Sequence, residues 1–207
     1  MRDTDRADPM SVTSTHLLQG LRDAGNAPVW REFVARYAPL LHGYARRHFG
    51  MSEHDAEEVS QEVLLQFAEA YRNGRYDRDK GQLRKWLFGI ALNCMRDARR
   101  RHARRRELIG IEAESGLARA EELPDDAQLE HCWEEEWQRS IYRTCLAEVS
   151  RRAEPRTVEA FQLFAVQGLP ADEVARRLGM SRNAVFLAKY KMIVRIRECL
   201  PVISESW

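Results

Sequence analysis

Gly168-Leu169-Pro170-Ala171-Asp172-Glu173-Val174-Ala175-Arg176-Arg177-Leu178-Gly179-Met180-Ser181-Arg182-Asn183-Ala184-Val185 is the stretch whose reading decides the fold. Pro170 suits the opening of a short helix over 171–178, and Gly179 suits a turn residue with positive φ. Ser181 suits the N-cap of a last helix from Arg182 to about Leu200. Ala175, Gly179 and Val185 stand at offsets 0, +4 and +10. That is the spacing of a helix-turn-helix: a small residue where two helices touch, a glycine in the turn, and an apolar anchor on the second helix. Val174, Leu178 and Ile193 supply the rest of its expected core. The second helix carries Ser181, Arg182, Asn183, Phe186, Lys189 and Lys191. Early polar residues there suit base edges in a major groove, and the lysines suit phosphates. A plain helical hairpin is the competing reading.

Upstream the apolar residues also recur at helical period. Trp30, Phe33, Val34, Tyr37, Leu40, Leu41 and Tyr44 form one stripe. Pro39 lies within it, which predicts a break or kink near Ala38, with Pro39 opening a new first turn. Ser52 caps the next helix with Asp55 as its acidic partner, and Val59, Val63, Leu64, Phe67 and Tyr71 form its buried side. Asn73-Gly74 ends it. Leu83 to about Arg105 reads as a helix about 34 Å long, with Leu83, Leu87, Ile90, Ala91 and Cys94 inside. Trp133, Trp137, Ile141 and Cys145 continue the pattern, and Pro155 opens another helix ending at Gly168. No persuasive β alternation is present, so the fold class is all-α.

The chain has 207 residues and a net charge of +1, with 33 Lys+Arg against 32 Asp+Glu. Taken alone, near-neutrality argues against a nucleic-acid binder. The distribution argues the reverse. Residues 84–106 carry nine Arg/Lys against Asp97, for +8; residues 107–136 carry eleven Asp/Glu against Arg119, for −10; residues 172–197 carry seven Arg/Lys against two acids, for +5. Two basic blocks flank an acidic one. Gly110, Gly116 and Pro124 punctuate the acidic block, which reads as a linker. The expected organisation is a disordered start over 1–13, a helical domain over 14–106, a linker over 107–130 and a second domain over 131–207, its helix-turn-helix at 171–197.

Several function classes fall away. No apolar run approaches the roughly 20 residues of a membrane span. Met1 to Pro9 is charged and lacks a secretory h-region, and Met10 is an alternative start. Cys94, Cys132, Cys145 and Cys199 are far apart without a CxxC pair, which suits reduced cytosolic thiols. The histidines at 16, 42, 48, 54, 102 and 131 form no HExxH or HxH, so neither metal nor cofactor is expected.

Two further sets of residues have chemistry to offer. The Leu83 helix joins Trp86 and Asn93 to Arg84, Lys85, Arg96, Arg99 and Arg100. An aromatic beside cations suits unstacked single-stranded bases, although a core role for Trp86 competes. Tyr76-Asp77-Arg78-Asp79-Lys80-Gly81 before it suits a pocket for one flipped base. Asp55-Ala56-Glu57-Glu58-Val59-Ser60-Gln61-Glu62 presents an acidic face without a nucleophile, glycine-rich loop or metal ligands, so a protein-binding face is expected rather than catalysis, with a merely solvated face as the competing reading.

In this order and spacing, these residues resemble the bacterial alternative sigma factors of the extracytoplasmic-function (ECF) type, in the sigma-seventy superfamily. The resemblance covers about residues 14–200. It rests on Leu17-Leu18, Trp30…Tyr37-Ala38-Pro39-Leu40, Asp55–Val63, Leu83-Arg84-Lys85-Trp86-Leu87, Asn93…Asp97…Arg100-Arg101 and Gly168–Ser181. Leu83, Leu64 or Leu65, Tyr190 and Met192 depart from the usual pattern. The resemblance implies a cytoplasmic, non-catalytic factor that binds core RNA polymerase and directs promoter-specific initiation. Asp55, Glu58, Gln61 and Glu62 would dock on the clamp helices of the β′ subunit. Arg84, Lys85, Trp86, Asn93, Arg96, Arg99 and Arg100 would hold the melted non-template strand of the −10 element. Ser181, Arg182, Asn183, Phe186, Lys189 and Lys191 would read the −35 duplex. The linker would thread the polymerase. Promoter DNA and core polymerase are the expected partners. An anti-sigma factor is common in the family, though no residue here demands one. The alternative is a stand-alone helix-turn-helix regulator.

Overall fold

The computed structural model describes residues 14–23, 25–77, 82–109 and 124–207. The described residues are helical, with no strand. The helices are α1 (Ser14–Gly20), α2 (Ala27–Phe49), α3 (Glu53–Arg72), α4 (Leu83–Ile109), α5 (Asp126–Arg152), α6 (Pro155–Phe161), α7 (Ala171–Leu178) and α8 (Arg182–Ser206), with a π-helical turn, Gln162–Val166, after α6. Their packing forms two units, one over Thr15–Gln138 and the other over Arg139–Trp207. The division falls inside α5, further along than the change in composition near residue 130. The expected linker falls largely on residues 110–123, outside the described residues, as do the expected disordered start and most of the loop after Asp77.

The first unit is an aromatic-rich helical core. Phe33, Tyr37, Leu40, Leu41 and Tyr44 of α2 are all fully buried, as the stripe predicts, while Val34 is exposed. Of the break or kink expected near Pro39, the break does not occur: α2 is one continuous helix from Ala27 to Phe49 with Pro39 inside it. Pro39 is exposed, and the buried residues before and after it share one core. Burying such a side chain is worth about 1.5–3 kcal/mol, so burial on both sides outweighs the one lost backbone bond. Gly50 closes α2 in the left-handed region at φ 61. Ser52 caps α3 as expected, its Oγ accepting from Asp55 N at 3.1 Å and donating to Asp55 Oδ2 at 2.7 Å. Val59, Val63, Leu64, Phe67 and Tyr71 are buried, and Phe67 stacks on Phe33 with ring centroids 4.5 Å apart. From α4 the core receives Leu83, Leu87, Ala91, Cys94, Met95 and Ala98.

The second unit is built on the helix-turn-helix. Ala160, Ala171, Val174, Val185 and Ala188 form its buried cluster, edged by Ala175 and Leu178. Gly179 turns the chain at φ 58, and Ser181 Oγ accepts from Ala184 N at 3.2 Å to cap α8. Ile193, expected in the core, is half-buried, while Met192 is fully buried. The fully buried series Val185, Met192 and the nearly buried Ala188 and Ile196 set the inner face of α8, and Ile193 is rotated off it. Pro201 lies within α8, which runs past Leu200 to Ser206.

Candidate nucleic-acid interface

The basic residues of α4 and the first turns of α5 meet within the first unit. Arg84 Nη1 donates to Glu134 Oε1 at 2.6 Å, and Lys85 Nζ lies 3.9 Å from Glu130 Oε1. Arg96 pairs with Asp126. The guanidinium of Arg84 also lies 5.8 Å from the centre of the Trp137 ring. Asn93 and Arg100 are exposed, Arg99 is half-buried, and Arg100 pairs with Asp97 one turn before it. Trp86 is half-buried, its ring 5.0 Å from both Phe67 and Tyr76. It is thus part core and part surface, and Tyr76 extends the aromatic row outward from Tyr71.

In the sequence these acidic partners are only part of the acidic block over 107–136. Asp126, Glu130 and Glu134 stand four residues apart, a spacing that puts them on one helix face. On the stripe beside them, three residues further on, Leu129, Trp133 and Trp137 are buried in the first unit's core. Trp133 meets the Tyr44 ring edge-on at 5.2 Å, and Tyr44 Oη donates to the Leu129 carbonyl at 2.8 Å. Glu136, in the same block, is fully buried and accepts from Arg47 Nε at 2.6 Å. That bond, with the nearby charge, raises the Arg47 pKa. Gly43 makes room for it, since a Cβ there would overlap the Arg47 guanidinium.

The acidic face of α3 remains outward. Glu58 and Gln61 are exposed. Glu62 is half-buried and accepts from Gln66 Nε2 at 2.6 Å, while Asp55 lies 3.4 Å from His102 Nε2.

On α8 the residues opposite the core are Asn183, Phe186, Leu187, Tyr190 and Lys191, all exposed. Ser181 is exposed, and its Oγ accepts the capping bond from Ala184 N. Arg182 lies 5.7 Å from the Phe186 ring centre and 3.6 Å from Asp172, while Lys189 lies over Phe164 at 5.3 Å. The sequence reading did not assign Leu187 or Tyr190 to the interface. Their place is legible once Val185, Ala188 and Met192 are known to point inward, because α-helical period turns 187 and 190 outward. It also did not assign Arg156 of α6. Its guanidinium donates to the carbonyls of Leu178 and Gly179, the latter at 3.3 Å, and so braces the turn.

Four free thiols are present, and the Cys145 thiol is hydrogen-bonded with that of Cys199 although 54 positions separate them. Among the described residues no helix is long and apolar enough to cross a membrane, and no cluster of His, Cys, Asp or Glu could hold a metal ion.

Comparison with known proteins matches residues 33–105 to sigma-70 region 2. The chain is 30% identical to the RNA polymerase sigma factor CnrH of Cupriavidus metallidurans over 162 residues, covering 78% of this chain and 81% of CnrH. It is 26% identical to the ECF RNA polymerase sigma factor BldN of Streptomyces coelicolor, covering 94% and 69% of the two chains. It is 28% identical to the ECF RNA polymerase sigma factor SigD of Mycobacterium tuberculosis, covering 84% and 78%. A solved structure of CnrH in complex with the cytosolic domain of CnrY aligns over 94% of this chain and 98% of that one, at 23% identity and a TM-score of 0.34.

Proposed function

The chain belongs to the ECF-type sigma-70 family of RNA polymerase sigma factors and directs transcription initiation without catalysing a step itself; from that premise we propose that its two basic helices divide promoter recognition between them. In this reading α4 holds the melted non-template strand of the −10 element. Arg84, Lys85, Arg96, Arg99 and Arg100 meet phosphates, and the half-buried Trp86 ring stacks on a base. Extruding bases costs a few kcal/mol of stacking, and each aromatic stack returns about 1–3 kcal/mol. The α8 helix reads the −35 duplex. Asn183 reaches a base edge, Phe186 packs against a thymine methyl, and Arg182, Lys189 and Lys191 meet phosphates. The acidic face of α3, with Asp55, Glu58, Gln61 and Glu62, docks on the β′ clamp helices of core polymerase.

One observation carries the −35 assignment. The inner face of α8 is consumed by Val185, Ala188 and Met192, so its outward face mixes polar, cationic and aromatic side chains immediately after a capped, glycine-turned N-terminus. That is the face a recognition helix lays in a major groove.

The test is reconstitution. Purified protein added to core polymerase with a promoter library should yield transcription from a defined promoter class. Asn183→Ala with Phe186→Ala should relax selection at −35 positions alone, and Arg100→Ala with Lys85→Ala should slow melting at −10. A chain that binds a duplex operator tightly without polymerase, and selects no promoter with it, would overturn the division of labour and favour a stand-alone regulator.

A further inference from the structure

The pairing between α4 and α5 puts carboxylates where the strand-holding reading puts phosphates. Asp126 meets Arg96 near the start of α5, and Glu130 and Glu134 meet Lys85 and Arg84 one and two turns later. The first turns of α5 therefore run antiparallel to α4, placing a carboxylate at each turn, about 6 Å apart. The ladder is held in place by the stripe beside it, because Leu129, Trp133 and Trp137 are buried and Tyr44 binds the Leu129 carbonyl. The charged side is looser. Lys85 is 69% exposed at its side chain, and Glu130 and Asp126 are 55% and 71% exposed. Contacts of that kind are screened by salt and yield to a stronger polyanion.

We infer that the first turns of α5, residues 126–138, are an acidic strap that occupies three of the proposed strand-holding cations, so that in the free chain strap docking and single-strand binding exclude each other at Arg84, Lys85 and Arg96. The inference rests on the reading of α4 as the strand-holding helix. Its consequence is a factor that ignores exposed single-stranded DNA until something outcompetes the strap. The ordered non-template strand in an open promoter complex, held there by polymerase, is such a polyanion. A hydrophobic anchor with a charged front suits this use: the anchor fixes register, while the ion pairs exchange one partner for another.

The experiment measures binding of a fluorescent single-stranded oligonucleotide to the full chain across a salt series. D126N/E130Q/E134Q keeps side-chain shape and removes the three charges. It should bind about tenfold tighter than the parent. Because each freed cation neutralises a further phosphate, its log–log salt slope should also steepen by about 2. E69Q/E159Q/E198Q removes three exposed carboxylates elsewhere and should leave affinity and slope near parental values. Equal affinity and slope in the first variant and the parent, with matching circular dichroism, would overturn the strap; so would an equal gain in the control variant, which would reduce the effect to net charge. Initiation with core polymerase is measured in parallel. Loss of promoter selection by the parent itself counts against the proposed function. A parent that initiates beside a strap variant with no gain counts against the strap alone.

Discussion

At the scale of single residues, the most informative position is Glu136. It is fully buried, with Arg47 as its hydrogen-bonded ion-pair partner and His48 Nε2 at 3.7 Å. Removing the cation strands a buried carboxylate, whereas neutralising the acid leaves a half-exposed guanidinium that water can serve. Arg47→Met should therefore lower stability by about 3 kcal/mol, and Glu136→Gln by clearly less, in urea denaturation. Equal losses would show that Glu136 is not desolvated as described. Nothing in the run Glu134-Glu135-Glu136 separates the buried acid from its neighbours, so this pair was invisible to sequence reading; the cue available afterwards is Gly43 one turn before Arg47. The thiols separate by the same logic. Burial pushes Cys145 up to about 12, helped by the neighbouring Cys199 thiol, and Cys94 up to about 11. A raised thiol pKa favours the neutral form in the fold, so its stabilisation is complete below the unfolded value near 9.0 and is lost as pH climbs towards 12. At pH 8 iodoacetamide should label the half-buried Cys132 and Cys199 well before Cys94 and Cys145. Mass spectrometry of timed samples checks this.

At the scale of elements, local rules decide where helices start and stop. Ser52 and Ser181 cap α3 and α8 through their hydroxyls, and each Ser→Ala should cost about 1 kcal/mol in its own unit. Gly179 sits at φ 58, so Gly179→Val should destabilise the second unit by about 1–2 kcal/mol and impair −35 selection, with α4-dependent melting spared. These ends were legible because a cap or a positive-φ turn needs one residue type at one position. Pro39 leaves α2 unbroken for the complementary reason. A proline's penalty is local, but the burial that overrides it comes from Phe67 and the rest of a core assembled from distant segments. Trp133 shows the same limit. Its helical phase was evident, yet its partners Tyr44 and Phe88 lie far earlier in the chain. Trp133→Ala should cost about 3–5 kcal/mol in the first unit, although composition groups residue 133 with the second domain. A loss confined to the second unit, followed by hydrogen exchange, would contradict the packing.

At the scale of the whole molecule, the net charge of +1 is the sum of blocks that the fold uses differently. Substitutions in α4 and α8 lie in separate packing units, so their effects on promoter binding should add within about 0.5 kcal/mol in a double-mutant cycle with Arg100→Ala and Lys191→Ala. The helical class, the helix-turn-helix, the caps and the charge blocks follow from the sequence alone, because each depends on residues close in the chain or on period. Which acids face solvent, which meet Arg84, Lys85 and Arg96, which one is buried with Arg47, and where along α5 the packing divides were decided only by tertiary structure. Those outcomes depend on contacts across 30 to 90 positions, where the desolvation of a charge is set by what distant segments bring beside it.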